Sequence, residues 1–570
     1  MKIAVIATWG FPGEWYLADY RPAVPPQDLR KWGKLAEWSY LESPITTHSS
    51  TTAIVKALIE ERGYDVEVLI YGLDGLVAPR RLDIKRIPED DVCRMELVKY
   101  VNNFIHNICS ELGQDGNQGI DYTFLRAKAK ELLEFMAKKY FEEASLDIKP
   151  LIKIVPAVGR FRLQCTHSST QKSSYEVRFS FEGSPLNILT YIGLDLIRRY
   201  VLSRKSLDIA GIILDVSHGI NYLTLLTKDA VMEFARLYGA LKSDEGIKVA
   251  VMNSDPVREH RGKSAIHVVE ATVFNETCME ALNAFNRDIP RDHSYRMLKR
   301  KKVSVYVKRL DSKLRTLRNT YLGVIEGLLK SLDYGIVLYP IYRLSKLCTS
   351  NLVFEVNDLV DKAIKAIEHR EVNVRKDKNP GCEVSVVHDF ALLPMAYVST
   401  AYALYLLKHI ASLVINEVTK YGISEGFIEL TALEELANYL GLKGVARKLL
   451  ENELSDIRRR VEALVNVLGL KELEPTVYTV IYELVNRPLI NLIGYESGKE
   501  VIDEAKERLG DLSKLCEEIN ERHFYAHAGL ERNVIELKYS VGTGGDLKIY
   551  VRYTPQCLSK VKDLITKLLS

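Results

Sequence analysis

Ile209-Ala210-Gly211-Ile212-Ile213-Leu214-Asp215-Val216-Ser217-His218-Gly219-Ile220-Asn221-Tyr222 is the stretch from which the fold can be read. Its first six residues carry no charge and read as a strand buried on both faces, as strands of parallel sheets are. The polar turn Asp215 to Tyr222 then feeds an amphipathic segment, Leu223 to Leu241, which predicts a helix. Open α/β sheets bind ligands at such strand ends, where the N–H groups of a helix start meet anions. Ser217, His218, Gly219, Ile220 and Asn221 are therefore candidate phosphate-binding residues.

Working outward, Lys2 to Thr8 is a second apolar run, ending in Thr8-Trp9-Gly10. A stretch with many prolines (Pro12, Pro22, Pro25, Pro26, Pro44) reads as irregular. The polar cluster Thr46 to Thr52, with Ser50 and Thr51 as further ligand candidates, caps a helix that Gly63 stops, and Asp65 to Tyr71 supplies the next strand. This is a β-loop-α-β unit. On the other side, Ile247 to Met252 is a strand ending in Asn253-Ser254-Asp255-Pro256, and Ala265 to Phe274 is another. Three polar strand ends on one sheet predict a shared pocket. None is a G-x-G-x-x-G or a P-loop, so a dinucleotide or ATP site is not expected. Arg80 to Tyr140 turns helical, best at Val98–Ile108 and Phe124–Phe141, and reads as an insertion on the sheet. Strand-like runs at Leu151–Val155 and Tyr175–Phe181 and a helix at Ile188–Val201 follow.

The chain has 570 residues, too many for one core, so two to four domains are expected. Its 78 basic and 75 acidic residues nearly cancel, so any nucleic-acid site must be local. The 27% of charged residues, 31 tyrosines and scarce glutamine fit a thermophile's usage. Eight cysteines without a C-x-x-C pair predict mostly buried thiols, neither a zinc ribbon nor a dense disulfide framework. No signal peptide is read at Met1 to Thr8, and the most apolar helix, Thr400 to Val418, is broken by Lys408 and His409 and reads as core.

In the back half, Arg291 to Arg309 reads as charged helix, its clusters Lys299-Arg300-Lys301-Lys302 and Lys308-Arg309 as a solvated linker face. A helical middle runs to Glu371, and Glu371 to Glu383, with Pro380-Gly381, reads as a boundary or exposed loop. Beyond it, Met395 to Val418 predicts a long core helix. Leu430 to Leu468 predicts two short helices broken at Gly441 and Gly444; with Arg458-Arg459-Arg460 it has the look of a helix-turn-helix. Val501 to Glu521 leads into a motif described next. Asn533–Ser540 and Leu547–Tyr553, joined by Val541 to Asp546, predict a closing β-hairpin. The expected domains are 1–280, with an insertion at about 80–140, a helical linker 281–383, and 384–570.

That motif is Glu521-Arg522-His523-Phe524-Tyr525-Ala526-His527-Ala528-Gly529-Leu530-Glu531. It puts a permanent cation and a group able to carry a proton near neutral pH on one short segment. Arg522 can neutralise a phosphate while His527 exchanges protons with a sugar hydroxyl or leaving oxygen, with no metal required. His523 and His527 stand at i, i+4 as zinc-binding histidines do, but Phe524 stands where the glutamate of H-E-x-x-H would be. No Cys or Asp nearby completes a ligand set.

Arg522, four residues, His527, the polar His523 and the flank Ala528-Gly529-Leu530-Glu531 resemble the R-x4-6-H motif of HEPN ribonucleases, in particular CRISPR-associated CARF-HEPN ribonucleases of type III systems. The D-x-S-H-G-x-N turn and the early T-W-G resemble the CARF domain of the same family. The resemblance covers both ends of the chain in the expected order. It implies an α/β Rossmann-like N-terminal sensor and a mainly α-helical C-terminal nuclease domain ending in the hairpin. It implies a cyclic oligoadenylate activator, tetra-adenylate favoured over hexa-adenylate, at Thr8, Trp9, Gly10, Ser50, Thr51, Ser217 to Asn221 and Asn253, Ser254, Asp255. It further implies a cytoplasmic homodimer cutting single-stranded RNA without metal or other cofactor. Arg522 would stabilise charge, His527 move protons and His523 orient or take RNA. The alternative is a CARF-type transcriptional regulator that cuts nothing.

Overall fold

The computed structural model describes residues 2–22, 44–113, 120–166, 174–203, 209–219, 221–242, 246–289, 291, 294–298, 303–348, 351–376, 381–420, 426–486 and 497–568. Ile220, Pro25, Pro26, Pro380 and the cluster Lys299 to Lys302 lie outside the described residues. The chain forms two compact units: residues 1–276, 287–314 and 356–402 make the first, and 277–286, 315–355 and 403–570 the second. The boundaries expected at 280 and 383 are not followed, because the chain returns to the first unit twice.

In the first unit, β1 (Lys2–Trp9), β2 (Ala18–Pro22), β3 (Ile45–Thr47), β4 (Asp65–Leu73) and β5 (Leu151–Val155) precede β6 (Gly159–Thr166) and β7 (Ser174–Glu182). Then come β8 (Ile209–His218), β9 (Ile247–Ser254) and β10 (Gly262–Phe274). The main sheet has eight strands in the order β3-β2-β10-β9-β8-β1-β4-β5. Its centre, β9-β8-β1-β4-β5, is parallel throughout. Ile3 to Ala7 and Ile212 to Leu214 are fully or almost fully buried, as their unbroken apolar runs require. The strand order runs one way from β1 through β4 to β5 and the other way from β1 through β8 to β9. This is the doubly wound Rossmann-like pattern, with its reversal between β1 and β8.

The helices Val92–Gly113 and Tyr122–Glu143 are not an insertion. They form the crossover from β4 to the parallel β5, and the second packs on both strands. A parallel neighbour demands such a long return, which single-sequence periodicity does not distinguish from an added subdomain. Helix Ser50–Glu60 packs on β1, β4 and β8, and helix Asn221–Leu241 on β1, β8, β9 and β10.

Two further corrections concern the middle. Arg291 to Arg309 is not one helix: Tyr295–Met297 is a short strand, β11, and the helix starts at Val305 and runs to Asp333. Glu371 to Glu383 is not a boundary but lies in a hairpin of β12 (Glu371–Lys376) and β13 (Gly381–Val387). β13 pairs in parallel with β7 in a sheet ordered β12-β13-β7-β6. The charges of β12 alternate with Val372 and Val374, a strand period that the reading as a charged loop passed over. β14 (Phe390–Leu392) pairs with β11, and helix Pro394–Lys420 follows. It is the one helix among the described residues long and apolar enough to cross a membrane, and 67% of its apolar window is buried in the protein.

The second unit holds the short strand β15 (Ile428–Glu429), helices Leu430–Tyr439 and Gly444–Leu468, and β16 (Glu472–Val477). Helices Tyr478–Asn486, Gly498–Leu509, Leu512–Glu517 and Glu521–Ala526 lead to β17 (Ile535–Val541) and β18 (Leu547–Tyr553). The expected hairpin forms, but as the middle of a four-stranded antiparallel sheet β15-β18-β17-β16, and helix Leu558–Lys567 follows it. Of the two helices expected in Leu430–Leu468, the second is not short. Four cysteines are not thiols: Cys109 pairs with Cys165 and Cys516 with Cys557. Scattered spacing does not reveal pairs brought together by the fold.

Candidate functional sites

The reversal between β1 and β8 opens a cavity of about 740 Å³ at the carboxyl ends of the parallel strands. Ser217, His218, Gly219, Asn221, Asn253, Ser254 and Asp255 line it, with Glu14, Trp15, Tyr16, Tyr20, Thr224 and Lys228. A buried carboxylate builds its wall. Asp215 Oδ2 accepts from Ser50 Oγ (2.7 Å) and Thr51 Oγ1 (2.5 Å), while Oδ1 accepts from Ser217 N (3.0 Å) and Ser217 Oγ (2.5 Å). Ser217 Oγ in turn accepts from Ser254 N at 2.8 Å, which ties the end of β9 to the end of β8. Gly10 N donates to His218 O at 2.7 Å and ties in β1.

Between the pairs Ala7–Asp215 and Trp9–His218, β8 advances three residues against two on β1. This is a bulge, a device that re-aims side chains beside functional sites. Gly219 sits where a Cβ would stand 2.2 Å from Thr224 Oγ1 and 2.3 Å from Thr8 Oγ1, so only glycine fits. Thr8, Ser50 and Thr51 are buried and do not line the cavity; Trp9 and Gly10 face a smaller neighbouring pocket of about 270 Å³. Trp9 Nε1 donates to Thr51 Oγ1 at 2.9 Å, so these five residues brace the wall.

His218 accepts a hydrogen bond at Nε2 from Ser50 N (3.1 Å) and stacks on Trp15, and burial lowers its pKa to about 4. A ladder of rings continues inward from Trp15 to Tyr140 and from Tyr140 to His48. His48 lies between Glu143 (2.6 Å) and Asp91 (3.1 Å). Against the effect of burial, its hydrogen bonds to Asp91 and Glu143 raise its pKa. Trp15, Tyr16, Tyr20 and Lys228 were not singled out from sequence. The density of aromatics between Trp9 and Tyr20 was the available signal, and the neighbouring prolines masked it.

In the second unit, Asn520 caps the motif helix by accepting from Arg522 N at 2.9 Å. Phe524 is fully buried, and Tyr525 donates through its hydroxyl to Leu564 O at 2.8 Å, so the other face of the helix is left to solvent. Arg522, His523 and His527 are exposed there. The helix stops at once because Ala528 (φ 49°) and Gly529 (φ 73°) are left-handed, and a Cβ on Gly529 would stand 2.7 Å from Ile336. His527 is therefore the capping residue rather than part of a helix face, and its ring centroid lies 6.3 Å from that of His523. Its Nδ1 stands 3.0 Å from Glu453 Oε1 on helix Gly444–Leu468. That hydrogen bond raises the pKa of His527, burial opposing it. No local signal announced Glu453, which is 74 residues away in sequence.

Each arginine of the basic cluster on the same helix has a carboxylate partner: Arg458 pairs with Glu434 at 3.2 Å, and Arg459 and Arg460 share Asp456. Among the described residues, the group of His, Cys and carboxylate atoms at metal-binding separation is His48, Cys93 and Glu143, all in the first unit, and includes no residue of the motif.

No curated protein matches the chain. A family model described as the CARF domain of the CRISPR system endoribonuclease Csx1 matches residues 4–256, which contain the reversal and most of the cavity lining. A second, described as the HEPN domain of the same endoribonuclease, matches residues 443–555, which contain Glu453 and the Arg522–His527 motif. With a doubly wound sheet under the first match and helices with terminal strands under the second, the chain belongs to the CRISPR-associated CARF-HEPN ribonucleases.

Proposed function

We propose that this ribonuclease is switched on by a cyclic oligoadenylate held in the cavity and cuts single-stranded RNA at Arg522 and His527 without a metal, in type III CRISPR antiviral defence in the cytoplasm. The observation that carries the reading is the exposure of Arg522 on, and His527 at the cap of, a helix whose other face is fixed by Phe524 and Tyr525. In the reaction, His527 takes the proton of a 2′-hydroxyl as its oxygen attacks phosphorus. The bond to the 5′-oxygen breaks, and a second acid protonates that oxygen. Products end in a 2′,3′-cyclic phosphate and a 5′-hydroxyl. Arg522 stabilises the charge that accumulates on the phosphorane, and His523 orients RNA. Because one chain offers one His527, a homodimer supplies the second acid.

Support for the ligand comes from chemistry at the cavity. Lys228, ion-paired with Glu270, supplies a cation that a phosphate would have to share, the start of helix Asn221–Leu241 supplies N–H groups, and Trp15 supplies a plate for a base. Ser217, His218, Gly219, Asn221, Asn253, Ser254 and Asp255 are the ligand-facing set, with Thr8, Trp9, Gly10, Ser50 and Thr51 behind them. Leu225 (59% exposed) and Val269 (57% exposed) border the cavity, apolar surface that a second copy would cover. A ring shared between two copies places half in each cavity, and tetra-adenylate is the ring size proposed, ahead of hexa-adenylate. The DNA-reading alternative is disfavoured by the pairing of Arg458, Arg459 and Arg460 with carboxylates.

The test is labelled single-stranded RNA incubated in EDTA with and without cyclic tetra- and hexa-adenylate, with the product ends analysed. Cleavage dependent on tetra-adenylate and leaving 5′-hydroxyl ends is expected. Activity lost on chelation and restored by Mg²⁺ or Zn²⁺, or indifferent to every cyclic oligoadenylate, would overturn it.

A further inference from the structure

Glu453 stands out among the charged groups of helix Gly444–Leu468. Its neighbours are engaged with arginines: Glu451 pairs with Arg447, and Asp456 takes both Arg459 and Arg460. Among the described residues, Glu453 has a single hydrogen-bond and ion-pair partner, His527 Nδ1 at 3.0 Å, and its side chain is only 19% exposed. A carboxylate partly withdrawn from water and facing one imidazole nitrogen fixes that ring in orientation and tautomer. The imidazole side chain remains 48% exposed.

We propose that Glu453 is a positioning residue of the ribonuclease site. It holds Nδ1–H of His527 so that Nε2 faces the RNA, and it stabilises the imidazolium formed when Nε2 takes the 2′-hydroxyl proton. This rests on the reading of His527 as the proton-transferring group. In that step the 2′-oxygen forms its bond to phosphorus as the bond to the 5′-oxygen breaks. The proton of the 2′-hydroxyl goes to Nε2, and the 5′-oxygen is protonated by the second acid, so Glu453 itself neither gains nor loses a proton. The groups facing the imidazole are Glu453 and Asp456 from helix Gly444–Leu468, His523 one turn earlier, and Glu531 just after the turn. Of these carboxylates only Glu453 is in hydrogen-bond contact with the ring; Glu531 accepts from Asn533 N instead, and burial keeps its carboxyl above its ordinary pKa.

The experiment compares Glu453→Gln, Glu453→Ala and Glu453→Asp with His527→Ala in the full chain. It measures single-turnover cleavage of labelled RNA against pH with saturating cyclic tetra-adenylate, and the His527 titration by NMR of ¹⁵N-histidine protein. Glu453→Gln keeps an acceptor for Nδ1–H but no charge. It is expected to slow cleavage about tenfold or more. It should also move both the pH–rate profile and the NMR midpoint of His527 to lower pH, with RNA KM unchanged. Glu453→Asp should recover part of both shifts. Wild-type rates and unmoved midpoints in Glu453→Gln and Glu453→Ala, alongside an inactive His527→Ala, overturn this proposal alone. An active His527→Ala overturns the site on which it rests. Should Glu453→Ala fail to fold, the NMR midpoint in the isosteric Glu453→Gln decides.

Discussion

Trp15 lies on His218 with ring centroids 3.9 Å apart and planes 26° from parallel, so a stacked pair of rings lines the cavity, the nitrogen of one already engaged. A base stacked there gains about 1–3 kcal/mol. Trp15→Ala is accordingly expected to weaken cyclic tetra-adenylate binding by about tenfold to a hundredfold while cleavage at saturating activator is retained. Calorimetric titration beside an activator titration of the cleavage rate checks this; an unchanged midpoint in both places the base elsewhere.

His218 ties stability to acid in a defined direction. Its folded pKa of about 4 lies below the ordinary histidine value, so the fold favours the neutral ring. That contribution to stability is complete above the unfolded pKa, about 6.5, and is lost as pH falls from there toward 4. Denaturant midpoints measured from pH 7.5 to 4.5 should fall more in the wild type than in His218→Gln. Equal slopes would show that His218 titrates alike in the folded and the unfolded chain.

Removing either reacting group should stop the chemistry but leave the switch. Arg522→Ala and His527→Ala are each expected to lower the cleavage rate by about 10²-fold or more. Both should bind cyclic tetra-adenylate as the wild type does, because the cavity lies in the other unit. A folded His527→Ala protein cutting at the wild-type rate would remove the assignment.

The bond between Cys516 and Cys557 closes a loop of 41 residues that contains the whole motif. Such a loop restrains the unfolded chain by about 4 kcal/mol in the chain-entropy model. Cys516→Ser should therefore lower the unfolding free energy by about 2–4 kcal/mol, read from denaturant curves under non-reducing conditions. An identical curve would mean that the pair stays reduced.

The sequence displays what neighbours along the chain determine. Ile209 to Leu214 and Lys2 to Thr8 could be read because a parallel strand buried on both faces has no polar face to interrupt it. Arg522 and His527 could be read because the motif is five residues apart. Contacts formed only by tertiary folding were hidden. Asp215 reaches Ser50 and Thr51 across more than 160 residues, and Glu453 reaches His527 across 74. β13 reaches β7 across some two hundred residues, so along the chain Glu371 to Glu383 shows only its charges and Pro380-Gly381. Cysteine pairing failed for the same reason: Cys109 and Cys165 meet only once the crossover helix lies beside β6.

The place of β13 beside β7 also decides how the sensor can be handled in isolation. β7 carries the buried Val177, Phe179 and Phe181 and hydrogen-bonds along its length to β13, which the chain supplies two hundred residues later. A fragment ending at residue 280 would keep the cavity yet strip that neighbour away. A row of open N–H and C=O groups beside apolar side chains would then be offered to any passing strand, and edges of that kind seed self-association. The smallest soluble sensor is thus a discontinuous one: it needs the strands after residue 370 restored, by a short graft of β12 and β13 onto the sheet, before its ligand affinity can be weighed free of the nuclease.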